Sequence, residues 1–142
     1  MKRIALVGMP NTGKSTFFNR ATGASARVGN WPGITVDLFA ARVLLGGSMV
    51  ELVDLPGVYD LDGVADDERV VREFLAHTQV DLVAIILAAP QIDRQLPLAI
   101  ALRARGLPTV LLLNMNDEAR RLGVRIVAET LGRAIGMPVV PM

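Results

Sequence analysis

The sequence predicts an α/β protein whose open, mostly parallel sheet carries helices on both faces, giving three layers. Three observations predict it: a glycine-rich loop between an apolar run and a helical segment, two later continuous apolar runs, and helical segments between those runs. Continuous apolar runs are typical of strands buried on both faces of a parallel sheet. Strands that alternate with helices indicate right-handed crossover connections. With 142 residues, the chain is expected to form one domain, 1–142.

The N-terminal half is predicted to hold three strands and two helices. Strands are expected at 4–7, 36–45 and 49–53, and helices at 16–20 and 67–76. The turn Gly46-Gly47-Ser48 joins the second and third strands into a hairpin, so one edge strand is expected to run antiparallel. Residues 22–35 hold no helical or strand period for long, which predicts a long loop of the functional or mobile kind.

The C-terminal half alternates more regularly. Strands are expected at 82–87, 108–113 and 138–140, and helices at 93–105, 118–122 and 128–135. Pro97 is tolerated only near the first turn of its helix, because proline lacks the N–H that a helix interior needs. In sheets of this kind ligands bind at the carboxyl ends of the strands. The loops that follow the strands are therefore the candidate site.

The loop from Gly8 to Ser15 has the pattern of a phosphate-binding loop, two glycines five apart followed by Lys-Ser. Glycines let successive backbone N–H groups turn toward phosphates, and the dipole of the following helix adds to the attraction. Lys14 supplies a positive charge for the β- and γ-phosphates, and the Ser15 hydroxyl is a candidate Mg²⁺ ligand. The loop predicts a nucleoside triphosphate site.

Asp54 ends a predicted strand and precedes the turn Pro56-Gly57. A carboxylate there can hold Mg²⁺ through a water, and Gly57 can offer its backbone N–H to a γ-phosphate. The alternative is an ordinary Pro-Gly turn capped by Asp54. The phosphate-binding loop upstream favours the metal role.

The segment Asn114-Met115-Asn116-Asp117 predicts the base. A carboxylate can accept two hydrogen bonds from the ring N–H and the exocyclic amine of guanine, a pair that adenine does not offer on that edge. Asp117 therefore favours guanine, Asn114 braces the loops, and the stem of Met115 packs on the ring. Asp117 could also be a helix N-cap, and the two roles are compatible.

Composition excludes several classes of function. The formal net charge of +1 lacks the basic excess of a nucleic-acid binder. There is no cysteine and only one histidine, His77, so thiolate and His-based metal sites, and with them a credible set of iron ligands, are excluded. The longest later apolar run, 82–90, is too short to cross a bilayer. We expect a cytoplasmic protein without direct membrane insertion.

Four segments together resemble the cytosolic GTPase domain of the ferrous iron transport protein FeoB. They are Asn11 within the phosphate-binding loop, Val28-Gly29-Asn30-Trp31-Pro32-Gly33-Ile34-Thr35-Val36, Asp54-Leu55-Pro56-Gly57-Val58-Tyr59, and Asn114-Met115-Asn116-Asp117. The resemblance implies a Ras-like G domain of the P-loop NTPase fold. It also implies a slow GTPase of the translation-factor class whose nucleotide state is coupled to Fe(II) passage through a membrane transport domain or protein at the inner face of the cell membrane.

The same resemblance implies the site residues and two switch segments, 23–36 and 54–67. The GTP-binding set is Gly8, Pro10, Asn11, Thr12, Gly13, Lys14, Ser15, Thr16, Gly33, Thr35, Asp54, Gly57, Asn114, Met115 and Asp117; the catalytic set is Asn11, Lys14, Thr35 and Gly57. Mg²⁺ is held by Ser15, Thr35 and Asp54. Thr22 competes with Thr35 for that role but lies too close to the first helix.

Val58 stands where Ras-type GTPases have a water-orienting Gln, and valine cannot hydrogen-bond a water. In FeoB-like GTPases the loop Asn, here Asn11, helps to bind K⁺ together with backbone carbonyls, here of Gly29 and Trp31. Such an ion would neutralise transition-state charge in place of an arginine finger. The resemblance therefore implies potassium-assisted hydrolysis.

This chain departs from the family in two places. Ala88 stands where the family usually has Asp, and the sequence stops at Pro141-Met142 before a Ser-Ala guanine-contacting loop and a closing helix. We expect a G domain without that helix, a helical regulatory domain or a membrane domain. Two alternatives stay open: a nucleotide-binding regulatory module with negligible turnover, and an Era-like GTPase that acts on RNA or ribosomes.

Overall fold

A computed structural model describes residues 1–142 as a seven-stranded sheet with helices on both faces. The strands are β1 (Lys2–Gly8), β2 (Arg27–Gly29), β3 (Leu38–Leu45), β4 (Ser48–Asp54), β5 (Leu82–Ala88), β6 (Thr109–Asn114) and β7 (Val139–Pro141). The helices are α1 (Lys14–Thr22), α2 (Asp66–His77), α3 (Ile92–Ala104), α4 (Asn116–Arg121) and α5 (Ala128–Ile135). No helix combines the length and the apolar character needed to cross a membrane.

The strand order is β2-β3-β4-β1-β5-β6-β7. Five neighbouring strands, from β4 to β7 in that order, run parallel, and β3 runs antiparallel to both of its neighbours. The predicted α/β fold with a mostly parallel sheet is confirmed. The structure adds the three-residue edge strand β2 inside the predicted loop 22–35. This strand was not predicted because its pairing with β3 defines it, whereas its sequence has no strand period.

Alternation along the strands divides the apolar side chains into two cores. The larger core lies between the sheet and α2, α3, α4 and α5, and contains Phe74, Leu98 and Ile135 among its buried members. The smaller core lies under α1 and contains Phe18 and Leu52. Because α1 is the one helix that contributes to this second core, a mostly apolar groove of about 460 Å³ stays open beside it.

Pro97 corrects one sequence expectation. Helix α3 begins at Ile92, directly after a short 3-10 turn at Ala89–Gln91, so Pro97 lies in its second turn rather than near its first. The helix begins one residue earlier than predicted, directly where this 3-10 turn ends. At this position Pro97 has no N–H to donate to the carbonyl of Asp93.

Candidate functional site

The predicted loops meet at the carboxyl edge of the parallel strands. The phosphate-binding loop follows β1, the Asp54 turn follows β4, and the Asn114 segment follows β6. Strand β1 lies between β4 and β5, and β6 lies next to β5, so these three loops are neighbours along one edge.

The phosphate-binding loop has an unusual backbone that its sequence accommodates. Asn11 has a φ of 67° and Gly13 a φ of 90°, and α1 begins directly after Gly13 at Lys14. A Cβ on Gly8 would lie 2.9 Å from the carbonyl oxygen of Ile86. One on Gly13 would lie 2.3 Å from Nδ2 of Asn114. Gly8 is needed because the loop packs closely on β5. Gly13 is needed both because of its positive φ and because it lies against the Asn114 segment, which we call the base loop.

Lys14 joins this loop to the end of β4. Its side chain is buried, and Nζ donates to the Asp54 carboxylate and, at 2.7 Å, to the carbonyl oxygen of Leu55. Burial raises the pKa of Asp54 above its usual 3.8, and the hydrogen bond and charge of Lys14 offset only part of that rise. The Lys14 ammonium group and the Asp54 carboxylate thus neutralise each other. Bound phosphates could replace the carboxylate as the partner of Lys14, and a bound cation could replace the ammonium group as the partner of Asp54.

The turn after Asp54 packs tightly on the phosphate-binding loop. The N–H of Val58 donates to the carbonyl oxygen of Gly8 at 3.0 Å, and a Cβ on Gly57 would lie 3.2 Å from Cγ of Pro10. Only glycine fits at position 57 without displacing Pro10. The side chain of Val58 is 1% exposed and belongs to the larger core, so it does not face the loop.

A cavity of about 420 Å³ lies in front of these loops. Its walls include the predicted residues Pro10, Asn11, Gly13, Lys14, Ser15, Thr16 and Gly57. Asp67, from the first turn of α2, lines the same cavity, although the sequence analysis gave it no site role beyond the bounds of the second switch segment, 54–67. Thr12 is fully buried and donates from Oγ1 to the carbonyl oxygen of Met9, so its side chain supports the loop from within.

A second cavity of about 610 Å³ lies in front of the Asn114 segment, and Met115 and Asp117 line it. The Asp117 carboxylate is 89% exposed and contacts the guanidinium of Arg120, a cavity residue that sequence reasoning missed. The expectation that Asp117 could be an N-cap is wrong, because α4 begins at Asn116 and its N-cap is Met115.

Asn114 connects the two cavities. Its Nδ2 donates to the carbonyl oxygen of Thr12 at 3.0 Å, across 102 positions of sequence. Next to it, Nδ2 of Asn116 donates to the carbonyl oxygen of Leu113 at 2.8 Å. The loop that would read a base is therefore held at a fixed place beside the loop that would bind phosphates.

Four predicted site residues lie elsewhere. Gly29 pairs with Leu38 at the edge of the sheet, and Trp31, Gly33 and Thr35 follow it in the first switch segment, 23–36. None of the four lines the 420 Å³ cavity. The carbonyl oxygen of Trp31, a predicted K⁺ ligand, accepts the N–H of Ile34 at 3.0 Å. The structure does not bring these residues to Asn11.

Thr22, the competing magnesium hydroxyl, is buried in the last turn of α1. Its Oγ1 donates to the carbonyl oxygen of Phe18 at 2.8 Å. The hydroxyl is thus engaged within the helix, whereas Thr35 is exposed. The geometry argues against Thr22, and the magnesium role of Thr35 stays a prediction.

Known proteins with similar sequences agree on one family. The family profile of ferrous iron transport protein B matches residues 2–142. The chain is 53% identical over 141 residues to the Fe(2+) transporter FeoB of Synechocystis sp., covering 99% of this chain and 23% of the relative. It is 38% identical over 143 residues to FeoB of Salmonella typhimurium, covering 98% of this chain and 18% of the relative. The chain spans less than a quarter of the length of these relatives.

Solved structures agree with this result. The cytosolic domain of L. pneumophila FeoB has a TM-score of 0.91 at 38% identity, covering 99% of this chain and 56% of that one. The G domain of T. maritima FeoB has a TM-score of 0.86 at 33% identity, covering 100% and 87%. A GDP-bound mutant of the S. thermophilus FeoB G domain has a TM-score of 0.90 at 36% identity, covering 100% and 54%. The chain therefore belongs to the ferrous iron transport protein B family and has the fold of its cytosolic G domain.

Proposed function

We propose that this domain binds GTP and GDP and hydrolyses GTP. The hydrogen bond from Asn114 to Thr12 carries the proposal, because it holds a base-reading loop beside a phosphate-binding loop. Phosphates would lie in the 420 Å³ cavity on the N-terminus of α1, with Lys14 leaving Asp54 for the β- and γ-phosphates. Asp117 would accept two hydrogen bonds from guanine. The S. thermophilus G domain, 36% identical, is described as GDP-bound.

Magnesium fits the donors at this site. Ser15 lines the cavity and offers a hydroxyl, and Asp54 offers a carboxylate beside Lys14, which also lines the cavity. Hard oxygen donors of this kind suit Mg²⁺, which keeps several waters and takes phosphate oxygens as further ligands. Once bound, the ion neutralises charge on the β- and γ-phosphates. Thr35 would add a second hydroxyl after the first switch segment has moved. Gly57 would direct its N–H to the γ-phosphate.

Hydrolysis would be slow, because Val58 is buried in the core and cannot orient a water. We propose that K⁺ compensates, held by the Asn11 side chain, which is exposed at the cavity, and by the carbonyl groups of Gly29 and Trp31. Those carbonyl groups are not beside Asn11 in this structure, so the ion site would form only with the first switch segment closed. The buried Val58 also favours a second candidate, a binding module with negligible turnover.

Family membership supports a link to Fe(II) transport. In this proposal, residues 1–142 are one G domain on the cytoplasmic side of a longer protein or assembly, and their nucleotide state regulates a membrane transport partner. The L. pneumophila relative is described as a cytosolic domain.

GTP turnover in KCl compared with NaCl tests the enzymatic proposal. We expect faster turnover in KCl, and the Asn11→Ala variant should lose that difference while still binding GDP. Asn19→Ala is the matched control, because Asn19 is an exposed asparagine on α1 that does not line the phosphate cavity. Absence of turnover in both salts, with GDP binding intact, would leave only the binding module.

A further inference from the structure

The indole of Trp31 is anchored on the face of the sheet that α2 covers. Its ring lies 5.2 Å from the ring of Phe74, centroid to centroid, at an interplanar angle of 71°, which is an edge-to-face contact. The guanidinium carbon of Arg3 lies 4.9 Å from the indole centroid, within the range of a cation–π interaction. Trp31 therefore has an aromatic partner from α2 and a cationic partner from β1.

Arg3 does not follow the indole freely. Its Nε donates to the Glu51 carboxylate at 2.7 Å, and its Nη1 donates to the carbonyl oxygen of Gln79 at 2.8 Å. Glu51 lies on β4, and Gln79 lies in the loop after α2. The cation over the indole is thus held by two elements that do not belong to the first switch segment, so the anchor is part of the folded framework.

This anchor holds the part of the first switch segment around Trp31 away from the phosphate-binding loop, which lies at the other end of β1. Arg3 precedes Gly8 by five strand residues, which correspond to about 17 Å of β1. The turn from Trp31 to Ile34 has Pro32 at its second position and Gly33, with a φ of 79°, at its third, as in a type II turn. That turn uses the Trp31 carbonyl group. Thr35 follows it on an exposed stretch.

The anchor also carries an uncompensated polar group. Nε1 of Trp31 is buried and has no hydrogen-bond partner. Burial of an unpaired donor opposes the attraction of the two ring contacts. The two ring contacts thus favour the docked indole, and the unpaired N–H group opposes it. A docked position with such opposing contributions can be released at a low cost in free energy.

We propose that Trp31 is a positioning residue of the GTPase cycle: its indole, held by Arg3 and Phe74, keeps residues 30–36 docked away from the phosphates, and GTP draws Thr35 inward only when the indole is released. This inference rests on the proposed function. It predicts that a weaker anchor raises the affinity for a GTP analogue, which needs the released state, and leaves GDP affinity unchanged.

Trp31 is the only tryptophan of the chain, so its fluorescence reports this contact directly. We would measure acrylamide quenching without nucleotide, with Mg²⁺ and GDP, and with Mg²⁺, KCl and GMPPNP, and titrate both nucleotides by calorimetry. Quenching should be weak in the first two states and at least about threefold stronger with GMPPNP. Calorimetric binding of GMPPNP without a change in quenching would overturn the inference alone, whereas absence of binding to either nucleotide would overturn the proposed function.

Arg3→Gln tests the anchor both in the free protein and through nucleotide binding. It should increase quenching of the free protein and tighten GMPPNP binding about fivefold, with GDP binding unchanged, and Arg3→Lys should restore part of both effects because it keeps a cation. Lys2→Gln is the matched control, since it removes the same charge one residue earlier, at an exposed position of β1. Equal quenching in Arg3→Gln and Lys2→Gln, with both folded by circular dichroism, would overturn the proposed anchor.

Discussion

Gly13→Ala separates two reasons for a glycine in the phosphate-binding loop. The residue has a φ of 90°, and an added Cβ would lie 2.3 Å from Nδ2 of Asn114. The methyl group therefore has to displace the Asn114 side chain, and with it the hydrogen bond from Nδ2 to the carbonyl oxygen of Thr12. The perturbation reaches the base loop without a change to any of its residues.

The size of the effect follows from these contacts. A left-handed conformation costs an alanine about 1–2 kcal/mol, and alanine recovers about 0.4–1 kcal/mol through the lower entropy of its unfolded chain. A lost hydrogen bond costs about 1 kcal/mol, and more if the acceptor stays unsatisfied. We expect Gly13→Ala to lower the free energy of unfolding by about 2–3 kcal/mol. Gly106→Ala should lower it by about 1 kcal/mol, because Gly106 has a φ of 77° and open space around it.

Urea unfolding of both variants, with and without saturating GDP, measures the difference. The nucleotide should stabilise Gly13→Ala less than Gly106→Ala, because the displaced Asn114 loosens the base loop from the phosphate-binding loop. Equal losses of unfolding free energy in the two variants would refute the argument, since strain at positive φ would then account for the whole effect. A structure of Gly13→Ala that keeps the hydrogen bond from Asn114 to the carbonyl oxygen of Thr12 would also refute it.

Three other outcomes follow from the site. Lys14→Ala should abolish tight nucleotide binding in calorimetry, and should destabilise the free protein in urea by up to about 3 kcal/mol because the buried Asp54 loses its cation. Asp117→Asn should weaken GTP binding by about 100-fold and improve binding of xanthosine triphosphate, as competition titrations can measure. The raised pKa of Asp54 means that the folded protein binds the proton of the Asp54 carboxyl group more tightly than the unfolded chain does. The protonated carboxyl group therefore contributes to the free energy of unfolding in full below pH 3.8, and this contribution is lost as pH rises through the higher pKa of the folded state. Urea unfolding of Asp54→Asn across that pH range should lack this loss.

The phosphate-binding loop was predictable because its chemistry is local. The glycine positions, Lys14 and Ser15 lie within eight residues, and a strand and a helix flank them directly. The buried strand β5 was predictable for the same reason, since it is one continuous apolar run. Strand β6 was predictable from the shorter apolar run at 110–113, although it is fully buried only at alternate positions. Local patterns of this kind depend little on the rest of the chain.

Features that depend on docking between distant segments were not predictable. Asp67 reaches the phosphate cavity because of the way α2 meets the sheet, and its acidic neighbours gave no separate signal. Trp31 contacts Arg3 and Phe74, which are far from it in sequence and have no shared motif. The resemblance predicted a role for the Trp31 carbonyl group but said nothing of where the indole lies.

Backbone strain shows how rigidity and movement are divided in this domain. Asn11 and Met115 are the only non-glycine residues with positive φ, and each lines one of the two cavities. Such conformations persist only where the surroundings over-determine them. The side chains of Asn114 and Asn116, which flank Met115, donate to the backbone carbonyl groups of Thr12 and Leu113, so the protein's own hydrogen bonds hold the Asn114 segment in shape. Thr35 in the first switch segment has no such side-chain network, and beyond β2 the segment is anchored by the indole of Trp31. The preformed loops can then set the affinity for nucleotide, and the indole of Trp31 can control the movement of the first switch segment. Substitutions at Arg3 should therefore change the response to GTP without changing the affinity for GDP.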